Sequence, residues 1–301
     1  MKNLIHLLLA SLLLLAMQSA QAALNVFACE PEWGALAQEL GGDKVSVYNA
    51  TQALQDVHHV QARPSLLAKI RSAQLVVCTG AELEIGWLPV LLQQAGNPSI
   101  QPGGPGYFEA ASHVQRLEIP QRLDRADGDI HPQGNPHIQT DPRNIGKVAD
   151  ALALKLAEID PANAALYQKR HDDFMQRWNA AVQRWETQAA PLKGVAIVVQ
   201  HKGFPYIENW LGMHEVAALE PKPGVEPTSS HLADVLSQLQ HQPAKMILRA
   251  AYNDGRASQW LAERAKIPVV VLPFTVGGDE RAKDLFGLFD DTIQRLLEAL
   301  K

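Results

Sequence analysis

Three histidines, His59, His137 and His201, are the residues whose type and placement point most directly to chemistry in this chain. They lie far apart in the sequence, and each follows a short apolar or proline-marked segment. A single histidine carries little information, but neutral imidazole is the commonest side-chain metal ligand in proteins. Three histidines at corresponding loop positions of one chain therefore predict a single metal site.

Asp279 is the residue that we expect to complete this site. It follows the last apolar run of the chain, which ends at Leu272. The same number of residues separates His59 from His137 and His201 from Asp279. This equality suggests that the two halves of the chain are similar in plan.

The elements that must position these residues alternate between short β-rich runs and helical stretches. This alternation is typical of an α/β fold with mostly parallel sheets. We predict an N-terminal α/β lobe over 23–141, a helical connection with a long linker helix over 142–190, and a C-terminal α/β lobe over 191–301. Ligands of open α/β sheets bind beyond the carboxyl ends of strands, so the metal site should lie in the cleft between the lobes.

The start of the chain predicts export. Residues 1–22 combine an early lysine, an apolar run and the small-x-small end AQA, which is the pattern of a cleavable signal peptide. No cysteine follows directly, which argues against a lipid anchor there. We therefore expect a soluble periplasmic protein. The net charge of −5 and the lack of a basic run exclude nucleic acid and anionic membranes as preferred partners.

Cys29 and Cys78 each end a short apolar run. If the two runs are neighbouring parallel strands in an oxidising compartment, a disulfide is geometrically possible. The alternative is a pair of buried thiols that behave as small apolar groups. The sequence leaves both open.

Three segments resemble the ligand loops of the periplasmic zinc- and manganese-binding proteins of ABC importers. They are DVHHVQARPS from residue 56, GNPH from residue 134 with DPRN from residue 141, and QHKGFPY from residue 200. In that family a histidine stands five residues before a Pro-Ser pair, which implies His59 rather than His58 as the first ligand. The resemblance extends over essentially the whole chain after residue 22.

The resemblance implies His59, His137, His201 and Asp279 as ligands of a transported Zn(II) ion. Zinc members carry histidine at the position of His201, where manganese members typically carry glutamate, and imidazole chemically favours zinc. The implied partner is an ABC permease at the inner membrane. A periplasmic zinc chaperone is a second candidate partner, and we expect a monomer.

Two aspartates, Asp56 and Asp141, stand near the histidines and could orient ligand imidazoles. Turn and helix-cap roles are at least as well supported for both. Two other functions stay open. The same fold could bind manganese or another divalent metal, or three histidines with an open fourth position could form a zinc hydrolase. The chain has no His-Glu-x-x-His motif and no nucleophile elbow, so we expect no enzyme.

Overall fold

The strands of the chain form two sheets of four parallel strands. The structure is a computed structural model that describes residues 22–122, 128 and 130–301. Within these residues the strands are β1 (Leu24–Ala28), β2 (Val45–Asn49), β3 (Leu75–Cys78), β4 (Tyr107–Glu109), β5 (Ala196–Val199), β6 (His214–Ala218), β7 (Met246–Ala250) and β8 (Val269–Leu272).

Both sheets have the same strand order. The first is β2-β1-β3-β4 and the second is β6-β5-β7-β8, with parallel pairing throughout. The predicted α/β class with two parallel lobes is therefore confirmed. Strand β4 was not expected, because it has three residues inside a Gly- and Pro-rich stretch. The strand forms because it pairs with β3, whereas its own sequence does not favour a strand.

Helices connect the strands and cover the sheets. Those of the described residues are α1 (Pro31–Gly41), α2 (Pro64–Arg71), α3 (Leu88–Ala95), α4 (Pro142–Ile159), α5 (Ala164–Gln188), α6 (Pro205–Leu211), α7 (Ser229–Gln238), α8 (Arg256–Ala265) and α9 (Leu285–Glu298). Proline opens several of them, since its missing N–H would be unpaired in the first turn anyway. None of these helices is long and apolar enough to cross a membrane.

The predicted long helix is α5, with 25 residues and a length of about 38 Å at 1.5 Å per residue. It begins after the Asp160-Pro161 break and packs against α4, α1 of the first lobe and α9 of the second. Its buried aromatic side chains include Phe174, Trp178 and Trp185. They belong to one continuous core that includes inner-face residues of both sheets. A shared core of this kind restrains large motions between the lobes.

Cys29 and Cys78 form a disulfide in the first lobe, with their Cα atoms 4.8 Å apart. They lie at the ends of the neighbouring strands β1 and β3, so the geometric condition set by the sequence is met. Residues 1–21 of the signal peptide predicted over 1–22 lie outside the described residues.

Candidate metal centre

The structure brings together His58, His137 and His201. Their ring centroids are 5.4 Å (His58–His137), 5.5 Å (His137–His201) and 5.7 Å (His58–His201) apart. One nitrogen from each ring lies within 4.8 Å of one nitrogen from each of the others. The cluster joins residues of both lobes, as predicted for a cleft site.

His137 is the most buried member of the cluster, with 1% of its surface exposed. It follows Pro136 in a short turn before α4, and its backbone N–H donates to Oδ1 of Asn135 at 3.0 Å. Neither ring nitrogen has a hydrogen-bond partner. A buried imidazole without partners is uncommon unless it binds something else. Burial, followed by the nearby imidazoles of His58, His201 and His131, holds the pKa of His137 well below its ordinary value.

His201 stands just beyond β5, and its ring is oriented by a carboxylate. Its Nδ1 lies 2.7 Å from Oε2 of Glu220, which follows the neighbouring strand β6. The same oxygen accepts the backbone N–H of Gly224 at 2.9 Å, so the carboxylate is itself held. This arrangement leaves Nε2 of His201 as its metal-binding nitrogen.

His58 has the same kind of partner. Its Nδ1 lies 2.7 Å from Oδ1 of Asp56, while its Nε2 is buried without a hydrogen-bond partner. The backbone oxygen of Val57 accepts the indole N–H of Trp87 at 3.0 Å, which fixes the loop against the first lobe. Asp56 thus takes the orienting role considered from the sequence.

His59, the first ligand expected from the sequence, does not join the cluster. Its side chain is exposed, while the ring of the preceding residue, His58, is turned towards His137 and His201. The two ring centroids of His58 and His59 are 6.3 Å apart. Adjacent residues in an irregular loop point in different directions, and the backbone turn at Asp56 decides which of the two faces the cleft.

Asp279 is also not brought to the cluster. Its Oδ2 accepts a hydrogen bond from Arg295 at 2.6 Å, and its Oδ1 accepts the backbone N–H of Arg281 at 3.0 Å. The hydrogen bond to that N–H and the charges of the two arginines hold the pKa of Asp279 below its ordinary value. Asp141 instead caps α4 by accepting the N–H of Arg143 at 2.9 Å.

A fourth imidazole lies beside the cluster. The ring centroid of His131 is 5.5 Å from that of His58. His131, His137 and His201 line a cavity of about 470 Å³ that also contacts Glu118 and Lys202. This cavity gives an ion a route to the histidines.

The donor set determines the chemistry of the site. Three neutral imidazoles suit zinc, whereas manganese prefers carboxylate and water oxygens. Zn–N bonds are about 2.0–2.1 Å long, so two nitrogens of a tetrahedral zinc site lie about 3.3 Å apart. The clustered nitrogens, which lie within 4.8 Å of one another, must move closer together to hold one ion. The two carboxylates on Nδ1 of His58 and His201 fix the tautomers and the orientations of the rings.

Sequence reasoning missed the role of Glu220, although a signal was present. Val199 of β5 pairs with Ala218 of β6. His201 and Glu220 each stand two positions beyond that pair. Because parallel neighbouring strands end at the same edge, a histidine and a glutamate at matched positions are expected to meet there.

Comparisons with known proteins agree with this fold. The family model described as zinc-uptake complex component A, periplasmic, matches residues 26–299. A high-affinity zinc uptake system protein ZnuA of Yersinia pestis is 26% identical over 201 residues, covering 60% of this chain and 61% of its own length.

Two further matches have lower identity but cover more of the chain. A manganese ABC transporter substrate-binding lipoprotein of Streptococcus gordonii is 22% identical over 274 residues, covering 88% of this chain and 84% of its own. A crystal structure of ZnuA superposes with a TM-score of 0.77 at 20% identity, covering 93% of this chain and 100% of that one, and shows the shared fold. The chain therefore belongs to the periplasmic zinc-uptake component A family, the metal-binding solute-binding proteins of ABC importers.

Proposed function

We propose that this protein captures Zn(II) in the periplasm with His58, His137 and His201 and delivers it to an ABC permease. The observation that carries the proposal is His137, a buried imidazole with two unpartnered nitrogens in contact with two other histidines. Such a group gains its missing partner when a metal binds.

Zinc is favoured over manganese by the ligand types. The relatives include proteins named for each metal, so the family alone does not choose between them. In this chain the three clustered ligands are all nitrogen donors, and the carboxylates of Asp56 and Glu220 contact the rings. Carboxylates in that position strengthen imidazole as a zinc ligand and are not themselves offered to manganese.

Capture and delivery are favoured over catalysis by the family and by the shared core of the two lobes.

We include in the proposal the cleavable signal peptide, the periplasmic location and a monomeric state. A periplasmic chaperone that loads the protein remains a candidate partner. Hydrolysis of peptides or esters by the zinc-loaded protein would revive the alternative of a zinc hydrolase.

The decisive experiment compares His58→Ala with His59→Ala in competitive zinc titrations of the mature protein. The two positions are adjacent, so His59→Ala controls for any effect of changing the loop. We expect His58→Ala, His137→Ala and His201→Ala each to weaken zinc binding at least 100-fold. We expect His59→Ala to bind as the unaltered protein does. Unchanged affinity in His58→Ala would remove that residue from the ligand set.

A further inference from the structure

The side chain of Asn135 connects the two loops that carry His137 and His201. Its Nδ2 donates to the backbone oxygen of Lys202 at 2.8 Å and to Oε2 of Glu118 at 3.0 Å. Its Oδ1 accepts the backbone N–H of His137 at 3.0 Å. Both polar atoms of the amide are therefore used, and Nδ2 makes a hydrogen bond from the loop of His137 to the loop of His201.

The backbone of Asn135 takes part in the same connection. Its N–H donates to the oxygen of Leu117 at 2.8 Å, and its oxygen accepts the hydroxyl of Tyr206 at 2.6 Å. The Tyr206 oxygen in turn accepts the N–H of Leu117 at 3.0 Å. Tyr206 lies in α6 of the second lobe and is 2% exposed. We call Asn135, Tyr206 and the hydrogen bonds that join them to Leu117 and Lys202 the Asn135 bridge.

The Asn135 bridge acts on two of the three candidate ligands. Asn135 lies two residues before His137, and Lys202 directly follows His201. The bridge therefore fixes the backbones that carry these two rings relative to each other. His58 is positioned differently, by Asp56 within its own loop.

We propose that Asn135 is a positioning residue that sets the spacing of His137 and His201 before a metal arrives. The inference rests on the proposed function, because it assigns a role towards the same ion. Binding is tighter when ligands need little rearrangement, since the entropy of ordering them has already been lost in folding. Asn135 itself does not need to touch the metal for this effect.

The chain contains a matched control for Asn135. Asn97 also precedes a proline, its Oδ1 accepts the N–H two residues later, from Ser99 at 3.1 Å, and its Nδ2 donates to the distant backbone oxygen of Ala73 at 2.9 Å. The pattern of these side-chain hydrogen bonds is the same, but Asn97 lies between α3 and β4, and its bonds stay within the first lobe. A substitution at Asn97 therefore removes equivalent hydrogen bonds without touching the ligand loops.

The experiment compares Asn135→Ala, Tyr206→Phe and Asn97→Ala in the mature protein. Three quantities are measured: zinc affinity by competition, the visible spectrum of bound Co(II), and the melting temperature of the metal-free protein. We expect Asn135→Ala to weaken zinc binding about 10- to 100-fold, the usual effect of removing a group that orients ligands. It should also shift the Co(II) bands, which report ligand geometry. Asn97→Ala should lower the melting temperature while leaving affinity and spectrum unchanged.

Tyr206→Phe keeps the ring and removes only the hydroxyl of the bridge, so it tests the proposal even if Asn135→Ala does not fold. It should weaken zinc binding in the same direction by a smaller factor. Wild-type affinity and an unchanged Co(II) spectrum in Tyr206→Phe and in folded Asn135→Ala would overturn the positioning role. Wild-type affinity in His137→Ala and His201→Ala would instead overturn the proposed function itself.

Discussion

Nδ1 of His201 lies 2.7 Å from Oε2 of Glu220, and this contact selects the tautomer of the ring. The carboxylate accepts a hydrogen bond from Nδ1–H, which leaves the lone pair of the neutral imidazole on Nε2. A histidine held in this way is oriented to bind a metal, because the nitrogen that carries the lone pair in this tautomer faces the cluster. The same logic holds for His58 and Asp56.

Glu220→Gln should therefore weaken zinc binding about 10- to 100-fold. Glutamine can donate its amide N–H to Nδ1, which would place the ring proton on Nε2 and block the metal-binding lone pair. The measurement is a competitive zinc titration, with the exposed Glu226→Gln as control. Equal affinity in both variants would show that the carboxylate does not act through His201.

Asp279→Asn should reduce zinc affinity less than tenfold, far less than removal of a clustered histidine. The carboxylate is held by Arg295 and by the backbone of Arg281, so it must leave these partners before it can bind zinc. Its net contribution is then only the difference between two favourable contacts. Titration of Asp279→Asn beside His201→Ala measures this difference. A loss as large as that of His201→Ala would make Asp279 a full ligand and require its loop to move.

His131→Ala tests the other group that can reach the fourth position. Its ring is as close to His58 as the clustered rings are to one another. If His131 supplies the fourth donor, its removal should weaken zinc binding by more than Asp279→Asn does. The exposed His241→Ala serves as the control for loss of a histidine. Equal affinity in His131→Ala and His241→Ala would leave the fourth position to Asp279 or to water.

The fold was predictable because the alternation of apolar strand-like runs and helical stretches is repeated along the chain. Each lobe alternates strands and helices, and Asp160-Pro161 separates α4 from α5. The choice between His58 and His59 was not predictable in the same way. Both have the same chemistry, and only the hydrogen bonds of Asp56 and the position of Trp87 determine which ring enters the cleft. The Trp87 contact joins residues that are distant in the sequence, and the Asp56 contacts depend on the conformation of a single turn. Neither can be read from the local sequence.

Removal of the disulfide should affect stability and leave the metal site intact. Cys29 and Cys78 are 49 residues apart. The crosslink lowers the entropy of the unfolded chain, which raises the free energy of unfolding by about 4 kcal/mol for a loop of this length. Urea unfolding of the Cys29→Ala/Cys78→Ala protein measures this loss. The hydrogen bonds that orient the loops of the three clustered histidines come from Asp56, Asn135 and Glu220, and none of them involves a cysteine. Zinc affinity should therefore stay unchanged in the folded variant, and a loss of affinity would contradict the separation of the two features.

Glu32 makes the stability of the metal-free protein depend on pH, and a single substitution should remove this dependence. Its carboxyl is buried at the start of α1 and accepts a hydrogen bond from Thr275 of the second lobe. Burial raises the pKa of Glu32 from 4.5 to about 7. The unfolded chain loses this proton near pH 4.5 and the folded protein only near pH 7. The contribution of Glu32 to stability is therefore fully present below pH 4.5 and is lost as the pH rises to about 7.

Glu32→Gln keeps an acceptor for Thr275 but cannot ionise. At pH 4.5 the variant and the unaltered protein should have similar free energies of unfolding, whereas at pH 8 the variant should be more stable by up to about 3 kcal/mol. Burial lowers the pKa of His137 and makes both proteins less stable as the pH falls below about 6.5, so this effect cancels in the comparison. Urea unfolding from pH 4.5 to 8 measures the difference, with the exposed Glu280→Gln as control. A difference in the free energy of unfolding that stays constant across this range would contradict the raised pKa, because it would mean that Glu32 ionises equally in the folded and unfolded protein. The hydrogen bond from Thr275 and the N-terminus of α1 would then compensate the cost of burying the charge.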